Sequence, residues 1–206
     1  MKLLKLHLCR GYRKVTNKCE VDWQFIRKLE GWVPKGYVPK DLDGDNSGVT
    51  VAAGFDIGQH SKAQIKAFKF AKNLEAKLLP YAGIKGQAAR DLLKAIPLLP
   101  SIAELEEIDK TIKKHYYTKV EREYNDNSDI TFSFLDTEKQ TVIISVAFQY
   151  GSLKKVPRFF KFVSRGMWKC AVAELEEFGD AYSKRRKQEA ALLRSSIKEE
   201  GKFTKC

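Results

Sequence analysis

No stretch of the 206-residue chain approaches the ~18 apolar residues that crossing a bilayer requires, so stable membrane insertion is not expected. Cysteine is scarce: Cys9, Cys19, Cys170 and Cys206 contain no C-x-x-C pair. The three histidines, His7, His60 and His115, lack metal-ligand spacing relative to them. Neither a metal nor a cofactor is expected. A Cys9–Cys19 disulfide is compatible with an oxidising compartment. Repeats and low-complexity tracts are absent, and strand-like residues are confined to 47–57. The N-terminus is interrupted by Lys5, His7 and Arg10 and so lacks the continuous apolar segment of a signal peptide. Work outside the cytoplasm would need another route. Acids are also in deficit, 26 against 38 bases, for a net charge of +12. Both ends of the chain are basic and residues 101–150 are acidic. Such a field favours encounter with an anionic polymer or surface, whether nucleic acid, cell wall or lipid, and charge alone does not choose among them.

What the chain does contain is helical periodicity. With 43% hydrophobic and 31% charged residues it reads as a soluble globular protein. Its length suits one domain, here 22–206, after a basic extension at 1–21. Residues 22–29 form a short amphipathic helix with Asp22 as N-cap, ending at Glu30-Gly31. A helix is predicted from Ser61 until Pro80, another over 86–96, and a long one from Ser101. The last carries the stripe Leu105, Ile108, Ile112, Tyr116, Val120 and Tyr124. Three more follow over 137–150, from Trp168 to Phe178, and over 180–196. Phe159, Phe160 and Phe162 read as core. The fold class is α+β, mainly α, with about seven helices and a small early β-hairpin.

The chemistry concentrates in residues 30–59. Two carboxylates, Glu30 and Asp56, flank a Gly-, Pro- and Asp-rich segment with Thr50 between them. Two acids across a groove are what glycoside hydrolysis uses. At a helix C-terminus, beside Trp32, a glutamate would be pushed toward its protonated form and could serve as a general acid. By position alone, a surface glutamate before a glycine cap is the better reading. Asp56 lies between Phe55 and Ile57 and faces either a groove or solvent. Should the backbone reverse at Ala53-Gly54, Thr50 would face Asp56 across a hairpin. The run Asp41, Asp43, Asp45 opens like a calcium loop, but Asn46 and Ala52 break that pattern, and an exposed turn is the better reading. Lys184-Arg185-Arg186-Lys187 cannot form one patch on a helix and reads as a solvated face, with an arginine or two pairing acids at the rim of the core.

The motif E-G-x-x-x-x-G-Y-V-P followed by S-G-V-T-V-A-x-G-F-D-I-G-Q resembles the catalytic segment of the pesticin-type muramidases, relatives of T-even phage lysozyme. The run E-L-E-E-F-G-D-A-Y-S-K-R-R-K-Q-E-A-A-L-L (174–193) is similar to that family's closing helices, and the likeness spans about 22–196. It implies a lysozyme-like fold and cleavage of the β-1,4 bond between N-acetylmuramic acid and N-acetylglucosamine. It also implies catalytic roles for Glu30, Thr50 and Asp56, and substrate binding by Trp32, Tyr37, Gly54 and Gln59. The expected partners are peptidoglycan strands and, for an antibacterial effector, an immunity protein plugging the groove; a monomeric enzyme, no nucleic acid and, by analogy with the phage enzymes, an inverting outcome are expected. The expected setting is the periplasm or wall of a bacterium, reached by lysis or by a secretion apparatus. The alternatives are a chitinase- or chitosanase-like glycosidase on the same scaffold, and a non-catalytic wall- or nucleic-acid-binding module.

Overall fold

The computed structural model describes residues 20–39 and 46–197. The extension before Glu20, the acidic turn at 41–45 and the Cys9–Cys19 question lie outside the described residues. The elements run α1 (Trp23–Glu30), β1 (Val33–Tyr37), β2 (Thr50–Ala52), β3 (Phe55–Asp56), α2 (Lys62–Ala67), α3 (Lys72–Leu78), α4 (Gly86–Ala95), α5 (Ile102–Asn125), α6 (Thr137–Tyr150), α7 (Pro157–Ser164), α8 (Trp168–Glu176) and α9 (Ser183–Ser195). This is the predicted mainly helical α+β architecture. It has nine α-helices among the described residues rather than about seven, and the hairpin gains β1 to make a three-stranded antiparallel sheet.

The chain divides into two compact units, residues 27–115 and residues 1–26 with 116–206. In the second unit Asp22 caps α1 as predicted, its Oδ1 accepting from the amides of Gln24 and Phe25, both at 3.0 Å. The core of this unit is α6, whose residues from Gln140 to Ala147 are all buried. Around it gather Val120, Tyr124, Phe132, Phe159, Leu175 and Leu193. α9 packs on both α6 and α8, and α7 packs on α8. Phe159 is fully buried; Phe160 and Phe162 lie half-buried at its edge. Proline supplies the first turn of α7, where its missing N–H is no loss.

The basic run on α9 lies deeper than its composition implied. Lys184 and Lys187 are exposed, but Arg186 is 1% exposed and Glu189 0%. Arg186 donates to Asp180 Oδ2 at 2.9 Å and also to Glu189 and Gln149. Its guanidinium lies 4.6 Å from the Phe178 ring centre. Arg185 donates to Glu189 Oε1 at 3.0 Å and to the Ser145 carbonyl at 2.8 Å. A charged pair this buried persists because its remaining hydrogen-bonding positions are also filled. Cys170, on α8 and 3% exposed, is disulfide-bonded.

In the unit 27–115, the helix predicted from Ser61 to Pro80 is broken in two. Ser61 and Gln64 form a capping box at the start of α2, but Lys69 takes a positive φ of 58° and a second helix starts at Lys72. The break lets Phe68 and Phe70, two positions apart and so on different faces of a continuous helix, meet with ring centres 5.6 Å apart. Phe55, His60 and His115 complete this aromatic group around Phe68, at 5.7, 5.3 and 5.0 Å. α5 opens on the capping box of Ser101 and Glu104: the Ser101 amide donates to Glu104 Oε2 at 2.7 Å, and the Glu104 amide donates to Ser101 Oγ at 3.2 Å.

The hydrogen bond from Lys77 and that from the Ser101 amide, opposed by burial, hold the Glu104 carboxyl below the ordinary glutamate value. A carboxyl depressed on folding contributes stability above its unfolded value and loses it as pH falls through the folded one. Glu104→Gln is therefore expected to lower the urea midpoint at neutral pH and to converge with wild type in acid. Thiol titration of the unreduced, denatured protein is expected to find fewer than the four cysteines of the sequence. A full count would remove the Cys170 bond.

Candidate active site

The three-stranded sheet aligns the candidate residues. Gly54, with φ of 87°, provides the left-handed turn that reverses the chain between β2 and β3. Thr50 then pairs with Asp56 and Val51 with Phe55, while on the other side Tyr37 of β1 pairs with Thr50. Directly opposed residues share a face, so Tyr37, Thr50 and Asp56 form one row across the strands. Val51 and Phe55, on the opposite face, are 0% and 4% exposed and anchor the sheet. Thr50 is 3% exposed and its hydroxyl donates to the Gly48 carbonyl at 3.2 Å.

Asp56 is held by backbone more than by side chains. Its Oδ1 accepts from the Gly48 amide at 3.1 Å and the Gly58 amide at 2.9 Å. Its Oδ2 accepts from Gln59 Nε2 at 3.2 Å and shares the Gly48 amide at the same distance. The carboxylate also caps the short 3-10 turn Ile57–Gln59. This cradle exists because two glycines let three backbone segments touch. A Cβ on Gly48 would fall 2.4 Å from Gly58 Cα and 2.7 Å from the Ile84 carbonyl oxygen. One on Gly58 would fall 2.4 Å from that same oxygen and 2.6 Å from Gly48 Cα. The Gly86 amide donates to Ser47 O at 2.9 Å, closing the junction.

Glu30 ends α1 and is half-buried. Its Oε2 lies 3.8 Å from where a Cβ on Gly54 would stand, which puts this carboxylate at the hairpin turn. Tyr37 lies within the field of both acids. Burial raises its phenol above the ordinary tyrosine value, and the charges of Asp56 and then Glu30 raise it further. Glu30, Tyr37, Thr50, Gly54 and Asp56 are thus brought together within residues 27–115. Trp32 and Gln59 are placed differently. The Arg27 guanidinium sits 4.1 Å from the centre of the Trp32 ring, covering that face, and Gln59 is engaged with Asp56. Sequence reasoning missed the amides of Gly48 and Gly58, and Lys85, whose Nζ donates to Gln59 Oε1 at 2.7 Å. The glycines in S-G-V-T and D-I-G-Q are the only signal that could have pointed to the cradle.

This mainly helical α+β architecture, with its small antiparallel sheet after the first helix, agrees with the expected lysozyme-like fold. Residues 20–169 match the Pesticin family, described as a bacterial toxin homologue of phage lysozyme, C-terminal, and the chain belongs to that family. α9, whose sequence reads as similar to the family's closing helices, lies beyond the matched residues. No match is found among curated proteins.

Because both close contacts of a Gly58 side chain would be with backbone, Gly58→Ala is expected to destabilise the protein by about 1–3 kcal/mol, as overpacking of a tight site does. Urea unfolding measures it. An unchanged midpoint would mean that the junction yields freely.

Proposed function

We propose that this protein is a peptidoglycan muramidase that hydrolyses the β-1,4 bond between N-acetylmuramic acid and N-acetylglucosamine. The observation that carries this reading is the pairing of Thr50 with Asp56 across a hairpin whose turn meets the Glu30 carboxylate. Membership of a family homologous to phage lysozyme supports it.

In this mechanism Glu30 protonates the leaving glycosidic oxygen as the bond lengthens toward an oxocarbenium-like transition state. The Thr50 hydroxyl spends its proton on the Gly48 carbonyl, so its oxygen is free to accept. Asp56 keeps accepting capacity on Oδ2, since the Gly48 amide there is shared with Oδ1. A water donating one proton to Thr50 and one toward Asp56 would direct its lone pair at the anomeric carbon. Asp56 then takes up the water's proton as a new C–O bond forms on the face opposite the leaving group, inverting the centre. Amides that do not reorganise hold Asp56 in place for this step. The excess of basic residues favours approach to the anionic wall. The setting we propose is the wall of a target or host bacterium, reached by lysis or injection, with the protein acting as a monomer. A cognate immunity protein would cover Glu30 and Asp56.

The test is solubilisation of purified sacculi with mass spectrometry of the products. Wild type is expected to release muropeptides with a reducing N-acetylmuramic end. Glu30→Gln is expected to lose about 10²–10⁴-fold in rate, the usual contribution of a general acid. Intact sacculi under folded wild type would reject the reading, and hydrolysis of chitin oligomers in their place would move it to a chitinase-like glycosidase. Proton NMR of fresh product is expected to show the α-anomer first; a dominant β-anomer would overturn inversion.

A further inference from the structure

Gln59 lies three residues beyond Asp56, in the 3-10 turn that the Asp56 carboxylate caps, and it is exposed. Its carboxamide is fully committed. Nε2 donates to the Asn46 carbonyl at 2.7 Å and to Asp56 Oδ2 at 3.2 Å, while Oε1 accepts from Lys85 Nζ at 2.7 Å. An amide has two N–H donors on one side and an acceptor on the other. Both neighbours of Nε2 are pure acceptors and the neighbour of Oε1 is a pure donor, so only one orientation of the group satisfies all three. The backbone of Lys85 is fixed independently of Gln59. It precedes α4 and bridges to Gly48, the residue whose amide holds the other side of Asp56.

We infer that Gln59 and Lys85 are positioning residues: Lys85 sets the Gln59 amide, and the amide sets the angle of Asp56 Oδ2 toward the attacking water. This rests on the muramidase reading and assigns Gln59 a different task from contact with the glycan. The backbone amides of Gly48 and Gly58 hold Oδ1, whereas among the described residues backbone reaches Oδ2 only through the Gly48 amide that the two oxygens share. Among the described residues Gln59 supplies the side-chain hydrogen bond on Oδ2, and so fixes the angle that the shared amide holds loosely. Small displacements of a catalytic group are costly in rate because the reacting atoms must be aligned. A hydrogen bond to a carboxylate is among the stronger ways to prevent them. Lys85 acts through Gln59, as its ammonium is bonded to the amide oxygen.

The experiment measures kcat and KM on soluble glycan strands for wild type, Gln59→Leu, Lys85→Met, the double variant and Lys85→Arg, with urea midpoints as the folding control. Both side chains are exposed, so the midpoints are expected to stay near wild type. Gln59→Leu is expected to lower kcat about tenfold with KM within about twofold. Lys85→Met should lower kcat by less, and Lys85→Arg, which keeps a donor, should restore it. In the double variant the loss should equal that of Gln59→Leu alone, since a residue acting only through another adds nothing once that other is gone. A raised KM at constant kcat in Gln59→Leu would make Gln59 a glycan contact and overturn the inference. Losses that multiply in the double variant would overturn the route through Lys85. Inactive wild type rejects the muramidase reading itself, whereas active wild type matched by Gln59→Leu rejects only this inference.

Discussion

Three backbone segments that belong to distant parts of the sequence touch at Gly48, Gly58 and Ile84, at distances that admit no side chain on either glycine. The candidate site depends on that contact. It delivers two amides to one carboxylate oxygen of Asp56 and brings Lys85 within reach of Gln59. It also places Gly48 so that its carbonyl takes the Thr50 proton, which leaves the threonine oxygen able to accept. A single close approach therefore sets the orientation of an acid, a hydroxyl and an amide. Side chains in its place would have needed several fixed rotamers, each losing conformational freedom on ordering.

Asp56 has two descriptions that do not compete. As the cap of a 3-10 turn it satisfies backbone donors that would otherwise lack partners. As a reacting group it benefits from the same donors, because they fix it before substrate arrives. The uncapped oxygen position on Oδ2 separates a purely structural cap from one that can also serve chemistry. Glu30 comes from a different element. It stands at the end of a helix, where the carbonyl dipoles disfavour a negative charge, and it approaches the turn at Gly54. Two acids in such different surroundings fit different roles in one reaction.

The unit containing α6 and α9 applies the opposite device. There Arg186, Glu189, Asp180, Gln149 and Ser145 are interlocked by side-chain hydrogen bonds within an otherwise apolar core. Removing one partner of such a pair strands a buried charge, which costs about 3–5 kcal/mol, far more than the pair stabilises relative to apolar residues. The network thus ties α6 to α9 in one register. It gives no direct reason to assign chemistry to the arginines, whose donors are engaged within the network.

Local physics made much of this protein legible in its residues. Helix periods, the Asp22 cap, the start at Ser101 and the turn at Gly54 depend on neighbours a few positions apart, so α1, α4, α5, α6, α8 and α9 were readable, as was the facing of Thr50 and Asp56. The Glu30–Thr50–Asp56 spacing was readable as a motif for the same reason. Tertiary structure alone decided the rest. The helix break at Phe68–Ala71 is set by aromatic partners as far away as His115, which outweigh a continuous helical pattern. That an arginine of the basic run pairs acids was legible, but its full burial was not: Asp180 and Gln149 reach Arg186 from outside α9. The amide cradle of Asp56 and the link from Lys85 through Gln59 arise where segments far apart in sequence meet. No local pattern encodes such a meeting beyond two glycines that permit it.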